Sequence, residues 1–226
     1  MIKTAIVTGA ASGLGYELAL LLAKDSYNLI LIDIDTINLD VAKQSILESY
    51  SVDVKLIVKD LSEENVAEVI FQEIKDTPID VLINNAGFGL FGTFSDTDWK
   101  RELEMLQVHI ITTTHLTKLV LDGMIKQKSG KILNMSSLAA FQPGPLMSIY
   151  YASKGYMLSF SEAIANELKG TGVTVTALCP GPTKTSFQDV QNQVTKTLRK
   201  QPFKLDQQII FRIFGDKDLD MGYIID

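Results

Sequence analysis

Thr8-Gly9-Ala10-Ala11-Ser12-Gly13-Leu14-Gly15 is the stretch on which the fold turns. Ahead of it lies Thr4-Ala5-Ile6-Val7, short, apolar and rich in β-branched residues. Behind it comes Tyr16-Glu17-Leu18-Ala19-Leu20-Leu21-Leu22-Ala23-Lys24, made largely of strong helix formers. A buried strand, a glycine turn and a helix start thus follow one another directly, the context in which such a turn holds phosphate. Glycines let the backbone approach a pyrophosphate, and the helix N-terminus offers unpaired N–H groups and partial positive charge. Gly9, Ser12, Gly13, Leu14 and Gly15 are therefore candidate dinucleotide contacts. The spacing is Gly-x-x-x-Gly-x-Gly and not the commoner Gly-x-Gly-x-x-Gly, so a tight turn without ligand is the competing reading.

Working outward, strand and helix patterns alternate, which predicts an α/β fold: a single Rossmann-type, doubly wound parallel sheet with helices on both faces. Residues 29–32 read as a strand buried on both faces. It ends at Asp33-Ile34-Asp35. Asp33 lies where a carboxylate bonds the adenosine ribose hydroxyls and repels a 2′-phosphate. With no Arg or Lys in the glycine turn or directly after this strand, NAD is favoured and NADP is less expected. Asp35 reads as N-terminal charge for a helix over 38–49. A third strand is expected at 52–58, followed by a helix from Asp60 and Ser62 to about residue 75 with Ser62 as N-cap. The fourth strand, 80–83, runs into Asn84-Asn85-Ala86-Gly87, small and amide residues suited to a ligand crevice.

A long helix is predicted over 96–123, where Trp99, Leu103, Leu106 and Ile110 recur at helical spacing as core or interface residues. A strand at 130–135 ends at Ser136-Ser137, a helix follows over 150–169, and the sixth strand, 173–178, ends at Cys179-Pro180-Gly181-Pro182. A polar helix at 188–200, an amphipathic piece at 205–214 and a last strand at 223–225 complete the reading. All 226 residues form one expected domain, with a short substrate segment at about 183–214.

Hydrophobic residues make up 46% of the chain, enough for a large core, and the net charge of -6 argues against a nucleic-acid partner. Cys179 is the one cysteine, so no internal disulfide can form and a reducing compartment is compatible. It reads as a buried strand residue with no metal-ligand set around it. No apolar run reaches membrane-spanning length and no signal peptide is legible; the expectation is a soluble, cytoplasmic protein.

Tyr150-Tyr151-Ala152-Ser153-Lys154 stacks a phenol and an amine on one helix face. A phenol with its usual pKa of about 10 keeps its proton at neutrality; a nearby ammonium favours the phenolate. Such a Tyr can give a proton to a carbonyl oxygen or take one from an alcohol as hydride moves. Ser136 or Ser137, ending the neighbouring strand, can bond the same oxygen. A half-buried Tyr beside a solvated Lys is the plain alternative.

Taken together, the chain resembles the short-chain dehydrogenase/reductase family over nearly its whole length. The resemblance rests on Thr-Gly-x-x-x-Gly-x-Gly at 8–15, Asn-Asn-Ala-Gly at 84–87, a serine at Ser137, Tyr-x-x-x-Lys at Tyr150 and Lys154, and Pro180-Gly181. It implies a nicotinamide-dependent oxidoreductase of a secondary alcohol or ketone. Tyr150 would be the acid/base, Lys154 would hold the nicotinamide ribose and depress the Tyr150 pKa, and Ser137 would orient the substrate oxygen. Asp60 and Leu61 would lie by the adenine, Asn84, Asn85, Ala86 and Gly87 by the adenosine side, Pro180 and Gly181 in the cofactor turn, and Thr183 and Thr185 near the nicotinamide amide. It also implies a homodimer or homotetramer through the helices over 96–123 and 150–169.

Two departures qualify it. Where the family carries an Asn that completes a catalytic tetrad, this chain has His109. Imidazole titrates near neutrality and can join a proton relay, or it can be structural; both readings stand. His115 reads as structural. The segment after Pro182 is shorter than the family's usual substrate cover. Phe88, Leu90, Phe91, Phe141, Leu146 and Met147 fall on loops near the crevice and suggest an apolar substrate. The alternative to an enzyme is a non-catalytic dinucleotide-binding sensor or scaffold.

Overall fold

A computed structural model of the chain describes residues 2–181. Six parallel strands form one sheet: β1 (Thr4–Thr8), β2 (Asn28–Asp33), β3 (Val54–Val58), β4 (Val81–Asn84), β5 (Gly130–Met135) and β6 (Val173–Leu178). Their spatial order is β3-β2-β1-β4-β5-β6. This is the doubly wound order, in which the chain reverses direction across the sheet between β1 and β4 and opens a crevice at their carboxyl ends.

The period-two alternation of each strand decides which side chain faces which layer. Leu29 and Leu31 of β2 pack with Leu18, Ala19 and Leu22 of α1 (Gly13–Lys24) and with Leu39 and Ile46 of α2 (Thr36–Ser49). Ile30 and Ile32 face the opposite layer, with Ile70 and Ile74 of α3 (Val66–Ile74) and Leu116 and Val120 of α5 (Thr113–Gln127). Both sets are fully buried, and each such side chain is worth about 1.5–3 kcal/mol of transfer free energy. β2 therefore reads as a continuous apolar run, as the sequence implied.

Asp35 caps α2, its carboxylate accepting from the Asn38 N–H at 3.0 Å, in line with the plain reading of that residue. The helix expected from Ser62 starts later, at Val66. Asp60 Oδ1 takes both donors of Ser62, its N–H at 2.8 Å and its hydroxyl at 2.7 Å. This local turn competes with helix entry, and the chain reaches α3 only after Asn65, which sits in the left-handed region at φ 59°.

The helix expected over 96–123 is three pieces in register: α4 (Trp99–Leu106), one turn of π-helix (Gln107–Thr112) and α5. Trp99 and Leu103 are 60% and 50% exposed, so they are not core. The inward stripe of α4 is Glu102 and Met105, continued by Val108 and His109 in the π turn. A polar pair, Glu102 and His109, thus occupies positions that hydrophobic periodicity assigns to apolar residues. α6 (Ser148–Glu167) closes the layer. No helix among the described residues is long and apolar enough to cross a membrane. The pieces expected at 188–200, 205–214 and 223–225 lie outside the described residues.

Candidate active site

The glycine turn links β1 to α1 at the point where the strand order reverses. Gly9 takes φ 66°, and its N–H donates to Ile32 O at 2.8 Å, joining the turn to β2. Gly15 allows α1 to lie against the turn: a Cβ there would stand 2.1 Å from Gly9 O. Ser12 is the N-cap residue of α1 in extended conformation, and the first turn carries no acidic side chain. An unopposed helix N-terminus behind a glycine turn fits a pyrophosphate.

Asp33 at the end of β2 is turned toward this loop. Its Oδ2 accepts from the Ala11 N–H at 2.9 Å and its Oδ1 from the Asp35 N–H at 3.0 Å. Each carboxylate oxygen keeps a second acceptor site.

Thr8, which composition alone does not single out, ties β1 to the loop after β4. Its hydroxyl donates to Ile83 O at 3.3 Å and accepts from the N–H groups of Asn85 and Ala86 at 3.0 and 3.1 Å. The Asn85 amide donates to Thr8 O and Gly9 O at 3.0 and 3.1 Å. Asn85 and Ala86 therefore hold the glycine turn in shape. Asn84 points elsewhere: its amide donates to Thr117 Oγ1 at 2.9 Å and to Asn134 Oδ1 at 2.8 Å, inside the α5 layer. It is a buried bolt between β4 and β5 and does not face the crevice. Leu61 is likewise core, while its carbonyl accepts from Thr112 Oγ1 at 2.8 Å. Asp60 stands just before it at the end of the β3 loop.

The two serines after β5 part company. Ser136 is buried, its hydroxyl donating to Lys154 O at 2.9 Å. Ser137 acts on the Tyr150 phenol, lowering its pKa, and its hydroxyl accepts from the Ala139 N–H at 3.1 Å. Ser137, Tyr150 and Lys154 are thus brought to one corner by β5 and α6. Leu138 N–H donates to Pro180 O at 3.1 Å, so the loop after β6, with Pro180 and Gly181, is tied to the same corner. Thr183 and Thr185 lie outside the described residues.

Electrostatics correct one expectation. Lys154 is buried and its Nζ donates to Met135 O at 2.8 Å; it stands 5.7 Å from the centre of the Tyr150 ring. Burial lowers the ammonium pKa to about 8. The Tyr150 phenol is pushed above its ordinary value by burial, with the Ser137 hydrogen bond acting in the opposite sense. The protein alone therefore does not create the depressed phenol expected beside the amine; burial raises it.

His109, in the π turn, is fully engaged by protein. Its Nε2 accepts from the Phe88 N–H at 3.1 Å, and its Nδ1 is 2.8 Å from Ser153 Oγ. Its ring meets Tyr150 edge-on at 6.0 Å between centroids. Burial first, and Lys154 second, hold its pKa well below the usual imidazole value. His115 lies at the surface, 3.7 Å from Glu68 of α3, in keeping with its structural reading.

The apolar loop residues divide. Phe88, Leu90 and Met147 pack with Met105, Ala139 and Tyr150 beside the phenol, whereas Phe91, Phe141 and Leu146 are exposed. Gly92 N–H donates to Leu146 O at 2.9 Å, joining the loops after β4 and β5 over this cluster.

Comparison with known proteins matches the same features. The sequence pattern of the short chain dehydrogenase family matches residues 3–196. Hydroxysteroid dehydrogenase-like protein 1 of Gallus gallus is 36% identical over 183 residues, covering 79% of this chain and 55% of that protein. Very-long-chain 3-oxoacyl-CoA reductase of Anas platyrhynchos is 36% identical over 182 residues, covering 78% of this chain and 58% of that protein. The chain thus spans little more than half the length of these relatives. Among solved structures, a short-chain dehydrogenase from Sphingobium yanoikuyae in complex with NADPH superposes with a TM-score of 0.84 at 27% identity, covering 89% of this chain and 79% of that one. With its sheet order, its glycine turn and these matches in agreement, the chain belongs to the short-chain dehydrogenase/reductase family.

Proposed function

We propose that this chain reduces an apolar ketone to a secondary alcohol, preferring NADH, with Tyr150 as the proton donor. The observation that carries the reading is the placement of Tyr150 on α6 one helical turn from Lys154, whose Nζ lies 5.7 Å from the centre of the phenol ring, with Ser137 after β5 acting on the same phenol. Bound nicotinamide supplies the hydride. Tyr150, raised by burial, keeps its proton at neutral pH, which suits donation to the oxygen of a carbonyl as negative charge develops there. Ser137 orients that oxygen. Lys154, cationic below about pH 8, compensates the phenolate left behind and holds the nicotinamide ribose. Gly9, Ser12, Gly13, Leu14 and Gly15 receive the pyrophosphate, and Asp33 the adenosine ribose. Asp60, Leu61, Asn85, Ala86, Gly87, Pro180, Gly181, Thr183 and Thr185 complete the cofactor surroundings.

The preference for NADH is supported by the Asp33 carboxylate, which opposes a 2′-phosphate. The apolar cluster of Phe88, Leu90, Met105 and Met147 beside Tyr150 supports an apolar carbonyl, of the kind named in the 3-oxoacyl and hydroxysteroid relatives. Exposed Trp99, Leu103 and Ile111 along one helical stretch support a homodimer or homotetramer. The single cysteine supports a reducing, cytoplasmic setting. A panel of ketones and alcohols followed by nicotinamide absorbance tests the reading. Turnover of at least one apolar ketone is expected, falling about 10²–10⁴-fold in Tyr150→Phe with NADH affinity nearly unchanged. An active Tyr150→Phe protein would place the acid elsewhere. NADH binding with no turnover across the panel favours the sensor or scaffold.

A further inference from the structure

The hydrogen-bond partners of His109 determine where its proton lies. The Phe88 backbone N–H can only donate, so His109 Nε2 carries the lone pair. Ser153 has one hydroxyl hydrogen, and it goes to Tyr150 O at 2.7 Å, a carbonyl that can only accept. The 2.8 Å contact between Ser153 Oγ and His109 Nδ1 must then run from the imidazole to the hydroxyl. The result is one directed chain, from Phe88 N–H to Nε2 and from Nδ1–H through Ser153 to the carbonyl of Tyr150.

From this we infer that His109 is a neutral, Nδ1-protonated brace that pins the loop after β4 to the turn of α6 bearing Tyr150, that it carries no proton during turnover, and that Ser153 is a positioning residue for Tyr150. The inference rests on the proposed role of Tyr150.

Three further features support it. A proton added at Nε2 would face the Phe88 N–H, donor against donor, in a site where His109 is 2% exposed and Ser153 fully buried. The titratable groups packed near the imidazole, Tyr150 and Lys154 of α6, offer it no negative charge. Gly87 leaves room for the ring: a Cβ there would lie 2.5 Å from Nε2, so the glycine that ends the Asn-Asn-Ala-Gly motif is matched to this imidazole. The π turn that carries His109 shifts its side chain onto the inward face, a local distortion that recurs at functional sites. The geometry therefore separates the two readings that the sequence left open: both ring nitrogens are committed to protein.

Nitrogen-15 spectra of histidine-labelled protein test this without any substrate. The chain has two histidines, and half-buried His115 serves as an internal control removable by His115→Gln. His109 should keep its proton on Nδ1 and show no titration from about pH 5.5 to about pH 9. A proton on Nε2, or a His109 midpoint inside that window, overturns the inference, and does so whatever the ketone panel returns. With a ketone from the panel, Ser153→Ala should lower kcat about tenfold with KM within about twofold. His109→Asn, whose amide can still donate to Ser153, should retain more of kcat than His109→Ala. The double variant His109→Ala with Ser153→Ala should be no slower than His109→Ala alone. Unchanged kcat in Ser153→Ala removes the positioning role.

Discussion

Replacing Lys154 by methionine should make the folded protein more stable at neutral pH while ending its chemistry. The Lys154 ammonium is buried, and burial lowers its pKa from 10.5 to about 8. At 1.36 kcal/mol per pH unit, that difference corresponds to about 3 kcal/mol by which the fold disfavours the charged side chain. The unfolded chain binds more protons than the native one between about pH 8 and 10.5, so native stability rises with pH through that window. Below about pH 8 the whole penalty is present. Methionine keeps the apolar stem and removes the charge, but it leaves Met135 O without the donor now 2.8 Å away, which costs about 1–2 kcal/mol. The net expectation is a gain of about 1–2 kcal/mol at pH 7. Near pH 10 little of the penalty is left, and the lost hydrogen bond should make the variant the less stable of the two. Urea unfolding of both proteins at the two pH values, with equal m-values as the check on two-state behaviour, reads this directly. A variant destabilised at pH 7, or an advantage that does not change with pH, refutes the reasoning.

Gly15→Ala should unfold more readily, by about 1–3 kcal/mol, because its Cβ would meet Gly9 O at 2.1 Å and the Asn85 amide at 2.5 Å; thermal unfolding checks the first effect, and a parallel loss of NADH binding by fluorescence checks the link to the pyrophosphate turn. The wild-type protein should bind NADH more tightly than NADPH, and Asp33→Ser should narrow the ratio by about tenfold, equivalent to about 1.4 kcal/mol of lost repulsion. Equal affinities in the wild type would remove the role given to Asp33.

Local patterns carried much of this architecture. Short continuous apolar runs such as Leu29 to Ile32 fit a strand covered on both faces, and a glycine turn between such a run and a helix leaves few alternatives. The placement of Asp33 at a strand end and of Tyr150 and Lys154 on one helical face was also legible, because it depends on position within a strand or a helical turn; the residues alone left Ser136 and Ser137 undivided. Ser62 looked like a cap, but Asp60 two residues earlier takes both its donors in a local turn that competes with that role. Periodicity left Trp99 and Leu103 as core or interface residues, because it cannot see which face a neighbouring layer occupies; their exposure excludes the core.

The sequence by itself determined the alternating architecture, the nucleotide turn and the phenol–amine pair, since each follows from steric and periodic rules acting within a few residues. Only the tertiary structure decided that Asn84 is a bolt between strands, that Ser136 and Ser137 serve different partners, that burial and not the amine dominates the Tyr150 phenol, and that both nitrogens of His109 are committed. These depend on desolvation and on hydrogen-bond partners that, for His109, lie 21 and 44 residues away along the chain, and such partners meet only when the sheet brings the ends of β4, β5 and α6 to one place.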